Sequence, residues 1–217
     1  MEHFFSYACI VPSRSVSNES LRSLWEYFSA IPHSNVMPLT DDESPHGTFD
    51  QFKGIGGGAN ITVNFVELWF GGTMNADMRR HTTPPEGLDL ILLDAPDYTY
   101  IDLPEQLDGM AEVLRDISER ADALYGIGIS SDYFDQRGTN FDSILEAPGG
   151  LMYISRSVLD RLERFILPLP EVREELKKGL WLRYGEDYIY GMGSEDRERF
   201  SSIIPQLKKA IHDVRSA

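Results

Sequence analysis

The sequence predicts one α+β domain, spanning residues 1–217, in which a mixed or antiparallel sheet packs against amphipathic helices. Short apolar segments with strand patterning, such as Ile61–Phe70, are interspersed with segments of helical periodicity, of which Leu103–Leu124 is the longest. A proline-containing loop joins Phe70 to Leu88, so regular parallel βαβ units are not predicted. A chain of 217 residues, 41% of them hydrophobic, can bury a core and lies within the size of one domain.

The first half of the chain is predicted to form three strands and one helix, separated by two long loops. The strand segments are apolar and end at proline or glycine, which the interior of a sheet disfavours. The helical segment has apolar residues at the spacing i, i+3, i+4, i+7, after a serine or asparagine that can cap it. In chain order the predicted elements are strand Phe4–Val11, a helix with Leu21, Leu24, Trp25 and Phe28, loop His33–Gly58, strand Ile61–Phe70, loop Met74–Gly87, and strand Leu88–Leu93 closed by Asp94–Pro96.

The second half is predicted to contain amphipathic helices between short strands. Pro104 suits the first turn of the longest helix, and Gly126 suits the position just past its end. Pro205 is expected to break or restart the last helix. The remaining predictions are strand Tyr125–Ser130, loop Ser131–Pro148, strand Gly150–Ser155, a helix with Val158, Leu159, Leu162 and Phe165, a solvated helix face at Glu171–Lys178, a hairpin of Trp181–Tyr184 with Tyr188–Met192, and a helix with Phe200, Ile203, Leu207, Ile211 and Val214.

The charge of the chain limits its partners. The formal net charge is -15, from 20 basic and 35 acidic residues. Such a surface repels nucleic acid and anionic membranes, and it attracts a basic protein. One cysteine, Cys9, excludes an internal disulfide. The N-terminus lacks a signal-peptide pattern and no apolar run reaches ~18 residues, so we expect a cytoplasmic protein without a membrane span.

No motif in the sequence predicts catalytic, cofactor-binding or metal-binding residues. Lys53–Gly58 is rich in glycine but lacks the Gly-Lys-Ser/Thr ending of a phosphate-binding loop. The five histidines have no metal-ligand spacing. An uncharacterised hydrolase or transferase that uses carboxylates near Gly54–Gly58 and Asp132–Asp135 remains the alternative. That hypothesis requires a deep pocket containing carboxylates with perturbed pKa values.

The acidic residues are unevenly distributed. Between Arg80 and Arg115 the chain has eight Asp and Glu residues and no Lys or Arg, so sequence neighbours cannot neutralise them. Tyrosines lie among these acids, and a second acidic and aromatic segment follows the strand that ends at Ser130. Aromatic anchors with charge around them are typical of a surface that binds a basic protein. The predicted partner-binding residues are Asp94, Asp97, Tyr98, Tyr100, Asp102, Asp132, Tyr133 and Asp135.

Two structural explanations compete with this hypothesis. Glu105 and Asp108 lie in the first turns of a predicted helix, where acids interact favourably with the helix dipole. Asp94 and Asp97 flank Pro96 and are typical turn residues.

Three segments have characteristic aromatic and glycine positions: Leu68–Gly72, Gly149–Ser155 and Trp181–Tyr188. They resemble segments of bacterial immunity proteins of polymorphic toxin systems, and specifically of the immunity protein 52 family. The resemblance implies a cytoplasmic α+β antidote, encoded beside a toxin that is commonly a nuclease delivered by a type VI secretion system. Such an antidote binds the toxin and blocks its active site or its assembly. An adaptor or chaperone of a secretion locus would have the same surface properties, and the sequence leaves the oligomeric state open.

Overall fold

The structure is a computed structural model of the chain. It describes residues 4–12, 22–24, 26–27, 30, 34–38, 58–65, 72–79, 87–96, 104–130, 132–138, 140–162, 167–168, 170–185 and 191–215. The strands are β1 Phe4–Pro12, β2 Ser34–Pro38, β3 Gly58–Phe65, β4 Gly72–Arg79, β5 Leu88–Pro96, β6 Tyr125–Ser130, β7 Leu151–Ser155, β8 Val172–Glu175 and β9 Gly179–Arg183. The principal helices are α1 Pro104–Arg120, α2 Asp132–Arg137, α3 Phe141–Glu146, α4 Arg156–Leu159 and α5 Ser194–Arg215.

The nine strands form one sheet in the order β2-β3-β4-β5-β1-β6-β7-β9-β8. Every pairing along this order is antiparallel. The predicted α+β class, with an antiparallel sheet and amphipathic helices, is confirmed. The assignment of residues 1–217 to one domain stays a prediction.

Helices pack on both faces of the sheet. Because side chains alternate along a strand, β1 directs Tyr7 and Cys9 to the face that carries α1, and directs Ala8 and Ile10 to the opposite face. Tyr7 contacts Ser118 of α1. The opposite face belongs to a large apolar cluster that also includes buried residues of α2, α3, α4 and α5.

Two glycines of β6 make room for aromatic rings of β1. Gly126 and Gly128 lie opposite Cys9 and Tyr7 in the ladder. A Cβ atom on Gly126 would lie 2.9 Å from Cζ of Tyr7, and one on Gly128 would lie 2.5 Å from Cζ of Phe5. Both rings are buried, so neither has free space into which it could move. Gly126 is therefore a packing residue inside β6, and its prediction as the residue that follows α1 was wrong.

Asp122, and not Gly126, provides the left-handed residue that follows α1. The helix ends at Arg120, and Asp122 adopts the left-handed conformation with φ of 50°. An aspartate tolerates this conformation better than most residues that carry a side chain.

The first half of the chain contains more strand than the sequence predicted. β2 lies within the predicted loop His33–Gly58, and β4 occupies the first part of the predicted loop Met74–Gly87. β5 continues to Pro96 instead of closing at Asp94. β4 has few apolar residues, and its pairing with β3 and β5 stabilises a strand that periodicity does not show. Residues 61–65 of the predicted strand Ile61–Phe70 belong to β3, and residues 66–70 lie outside the described residues.

The predicted loop Ser131–Pro148 is wrong, because it contains α2 and α3. Asn140 caps α3: its side chain accepts a hydrogen bond from the backbone N–H of Ser143 at 3.0 Å. In return, the Ser143 hydroxyl accepts one from the backbone N–H of Asn140 at 2.9 Å. Six-residue helices are too short to show a clear periodicity, so their apolar residues were not recognised.

The charge run Glu171–Lys178 was wrongly predicted as a helix face, because Val172–Glu175 is strand β8. Exposure alternates along it, as on an edge strand with one packed face. The predicted hairpin of Trp181–Tyr184 with Tyr188–Met192 is also wrong. β9 has β7 on one side and β8 on the other, so no edge remains for a later strand.

The last helix, α5, runs through Pro205 without a break. Ile203 and Leu207 are buried on either side of the proline. Packing of this apolar face compensates for the hydrogen bond that proline removes. The predicted helix around Val158 is the four-residue α4, and Phe165 lies outside the described residues.

Candidate protein-binding surface

The strands that precede the two predicted acidic segments, β5 and β6, end on the same side of the sheet. β5 and β6 both pair antiparallel with β1 and flank it, so they run in the same direction. Ser6 of β1 lies opposite Asp94 on one side and Ile129 on the other. The chain therefore leaves β5 after Pro96, and leaves β6 after Ser130, at one end of the sheet. We call this end, with Asp94 of β5 and Asp132 of α2, the acidic end.

Asp94 is the one residue of the first segment that the structure describes. It lies in the ladder, opposite Ser6 of β1 and Asn75 of β4, so its prediction as a turn residue was wrong. The other four predicted residues of this segment, Asp97, Tyr98, Tyr100 and Asp102, lie outside the described residues. The chain enters the described part again at Pro104, where α1 begins.

The second segment is helical. Asp132 is the first residue of α2 and is half-buried. The Tyr133 ring, also half-buried, packs edge-to-face on Phe134 at 5.5 Å between centroids, and the Arg137 guanidinium lies 5.1 Å from its centroid. Burial raises the pKa of Tyr133. Asp135 belongs to the same helix. Tyr133 therefore combines packing with a surface position, and the buried Phe134 anchors the helix.

One of the eight acids without local counter-charge has a partner distant in sequence. Asp108 of α1 forms an ion pair with Arg183, the last residue of β9, 75 positions along the chain. Glu112, one turn later, is exposed. Sequence reasoning missed Arg183, because no local pattern relates the end of one strand to a helix so far away. Asp108 is thus held within this chain by an ion pair, which is a different interaction from the helix-dipole explanation that the sequence offered.

Most basic side chains with an ion pair in the described part serve to hold elements of this chain together. Arg115 of α1 lies 3.1 Å from Glu174 of β8, and Lys178 lies 2.6 Å from Asp122. Lys208 of α5 bridges Asp142 and Glu146 of α3. Cations already paired with acids cannot neutralise the remaining acids. Over the whole sequence, acidic residues outnumber basic residues by 35 to 20.

The catalytic alternative gains no support from the described residues. An open groove of about 610 Å³ lies between α4 and β8, with Leu180 and Leu182 of β9 in its lining. Hydrogen bonds from Arg156 and Arg173 lower the pKa of the Glu175 carboxyl at its rim, which favours the ionised form instead of a general acid. Among the described residues, no group of three His, Cys, Asp or Glu side chains is placed to hold a metal ion.

Cys9 is not a candidate nucleophile. It is buried beside Tyr7 and Ser118, and burial raises the pKa of its thiol from 9.0 to about 12. A thiol that keeps its proton at physiological pH is unreactive. Cys9 is therefore a small buried side chain of the core.

Comparison with known proteins identifies a solved structure of similar fold and identifies no family for this chain. No family model matches the chain, and no curated protein matches it either. A type VI secretion system protein of Pseudomonas aeruginosa has a similar structure, with a TM-score of 0.52 and 12% identity, over 95% of this chain and 76% of that one. At this identity the similarity establishes a shared fold. Membership of the immunity protein 52 family stays a prediction.

A second solved structure shows a weaker similarity. It is the toxic C-terminal tip of CdiA from Pseudomonas aeruginosa in complex with its immune protein, with a TM-score of 0.31, 16% identity, and coverage of 59% of this chain and 86% of that one. A similarity of this size does not establish a shared fold. Among the described helices, none is long and apolar enough to cross a membrane.

Proposed function

We propose that this chain is an immunity protein that binds a cognate bacterial toxin in the cytoplasm and neutralises it stoichiometrically, without catalysis. The toxin we propose is a nuclease effector with a basic surface. The observation that carries the proposal is the arrangement of β5 and β6 on either side of β1, from which two acidic and aromatic segments continue at one end of the sheet.

The chemistry of such a toxin suits this surface. A nuclease binds a polyanion, so its substrate cleft is basic. An acidic surface with tyrosines can steer towards that cleft and then pack against it. The shared fold with a type VI secretion system protein fits the same biological context.

The test combines protection with association kinetics. Cells that produce the toxin encoded beside the gene should survive only when they also produce this protein, and the two purified proteins should form a 1:1 complex. Charge reversal at the acidic end (Asp94→Lys, Asp97→Lys and Asp102→Lys together) should slow association by on the order of tenfold and reduce its salt dependence.

The control compares two single reversals with the same change in net charge, Asp94→Lys at the acidic end and Asp213→Lys away from it. Asp213→Lys places a reversal on α5, two residues before Arg215, whose side chain lies against Gly87 at the opposite end of β5. That variant should associate at nearly the unmodified rate. Unchanged association of the triple variant would exclude the acidic end as the binding surface. Lack of any binding to the neighbouring toxin would exclude the function itself.

A further inference from the structure

Among the described residues, β8 has no strand paired with its outer edge. It is the terminal strand of the sheet, and β9 is its only hydrogen-bonded neighbour among the described residues. At the turn between the two strands, the backbone N–H of Leu176 donates to the carbonyl of Gly179 at 2.8 Å. Because bonded and non-bonded pairs alternate in an antiparallel ladder, Glu174 also directs its backbone groups towards β9. Arg173 and Glu175 therefore direct their N–H and C=O groups outwards.

An exposed edge can pair with the same edge of a second copy. A two-fold axis perpendicular to the sheet makes the two β8 strands antiparallel, and bonded pairs form only between residues whose backbone groups face outwards. Three registers centred on the strand satisfy this condition. They place Arg173 opposite Arg173, Glu175 opposite Glu175, or Arg173 opposite Glu175.

Charge selects one of these registers. Within one chain, Glu175 is already ion-paired with Arg156 and Arg173. The first register opposes Arg173 to itself and Glu175 to Glu171, and the second opposes Glu175 to itself and Arg173 to Lys177. Both registers therefore add like-charge pairs, which destabilise cross-strand pairing. The third places Arg173 opposite Glu175 twice, once on each side of the axis. We infer that the protein forms a two-fold dimer through antiparallel pairing of β8 in this register, which extends the sheet continuously across two chains.

The other face of β8 is compatible with the same register. Glu174 would lie opposite Glu174 of the second copy, but each carboxylate is already held by its own Arg115, at 3.1 and 3.4 Å from the same guanidinium nitrogen. Val172 would lie opposite Leu176. Both of these apolar side chains are partly exposed in the single chain, so the pairing removes apolar surface from water.

Dimer formation does not depend on the proposed toxin binding. β8 is three strands away from β6 in the sheet, roughly 14 Å at the usual strand spacing, so the pairing leaves the acidic end accessible. Four strand residues from each copy bury less than the roughly 800 Å² per partner of a standard interface, so association should be weak.

The test is sedimentation equilibrium of the full chain at concentrations up to about 1 mM and an ionic strength of ~0.15 M. The unmodified protein should show a concentration-dependent dimer. Arg173→Glu and Glu175→Arg alone should each weaken association at least tenfold, because each creates like-charge pairs. An equimolar mixture of the two variants, or both substitutions in one chain, should restore dimers.

Two controls keep the result interpretable. Arg199→Glu makes the same change in net charge on α5 and should dimerise normally. If the charge variants do not fold, Arg173→Pro removes an outward N–H without breaking a bond to β9 and should also give monomers. A monomeric unmodified protein at ~1 mM would overturn the inference, and the ion-paired side chains of β8 would then be protection against edge pairing. Failure of the mixture to recover dimers would overturn the register.

Discussion

The sheet face that carries α1 and the face that carries α2 to α5 differ in how their helices are held. On the first face, the buried Tyr7 hydroxyl lies 2.7 Å from the Ser118 hydroxyl, and ion pairs such as Arg115 with Glu174 connect α1 to the β8–β9 hairpin. On the second face, buried apolar side chains such as Phe200 and Leu207 of α5 form a continuous cluster with the sheet.

The comparison separates two contributions to the fold. Burial of apolar surface supplies most of the free energy of folding and does not depend strongly on direction. A buried hydroxyl pair and ion pairs add little net stability, but they require defined geometry. Leu114 and Ile117 of α1 are buried too, so α1 also contributes apolar burial. The α2–α5 face, which has the larger apolar cluster, should contribute more to stability, while the polar contacts of the α1 face add geometric constraints on the position of α1.

The largest expected effect is on the apolar face. Phe200→Ala should reduce the free energy of unfolding by about 3–5 kcal/mol, because it removes a buried ring from the cluster and leaves a cavity. Urea denaturation measures the change. Glu198→Ala, at an exposed position of the same helix, should cost less than about 0.5 kcal/mol. Similar losses for both variants would contradict the larger contribution of this face.

A smaller effect is expected where β6 meets β1 on the α1 face. Gly126→Ala should cost about 1–3 kcal/mol, because the new Cβ collides with the Tyr7 ring and its hydroxyl. In a Tyr7→Phe background the penalty should be smaller, since the nearest atom is gone. Gly193→Ala is the control, because a Cβ there has no atom within 4 Å. Additive losses in the double variant would show that the collision is not with the hydroxyl.

The buried thiol of this face makes stability fall at alkaline pH. The folded state holds the Cys9 proton more tightly than the unfolded state, so its contribution is complete below pH 9.0 and is lost as pH rises towards about 12. The loss should approach roughly 1.4 kcal/mol per pH unit within this window. Urea denaturation of the unmodified protein and of Cys9→Ala between pH 8 and 10.5 measures it, and equal slopes would contradict the assignment.

The smallest effect is expected at the ion pair between α1 and β8. Arg115→Met should cost about 0.2–1 kcal/mol in low salt, because Arg115 and Glu174 are both partly exposed to solvent. The difference from the unmodified protein should shrink in ~1 M salt, where the interaction is screened. Thermal denaturation at two salt concentrations measures it. A loss that does not change with salt would indicate packing of the arginine stem instead of charge.

Several elements could be predicted from the sequence because their signal is local. The apolar runs of β1 and β7 and the heptad-like spacing of α1 each specify their element without distant partners. The acidic excess and the clustering of acids near Asp94 and Asp132 are also readable directly. Asp97, Tyr98, Tyr100 and Asp102 lie outside the described residues, so their part in binding stays a prediction.

Other elements depend on neighbours that are remote in sequence. β4 and β8 carry little apolar signal, and they are strands because adjacent strands offer them hydrogen-bonding edges. In the sequence, the charge run of β8 resembles a solvated helix face. In the structure, its Glu174 and Glu175 form ion pairs with Arg115 and Arg156, which lie on other elements. Pro205 predicts a break in the last helix. The structure shows a continuous α5, because its apolar face is buried against the rest of the protein.

By itself, the sequence determined the class of this protein and the sign of its surface, because hydrophobic periodicity and charge are properties of short segments and of totals. Only the tertiary structure decided that β1 lies between β5 and β6, so that two acidic segments leave the sheet at one end. It also decided that Arg183 neutralises Asp108 and that β8 forms an edge. Strand order and ion pairs between distant residues follow from how whole faces pack together, and no local pattern encodes them.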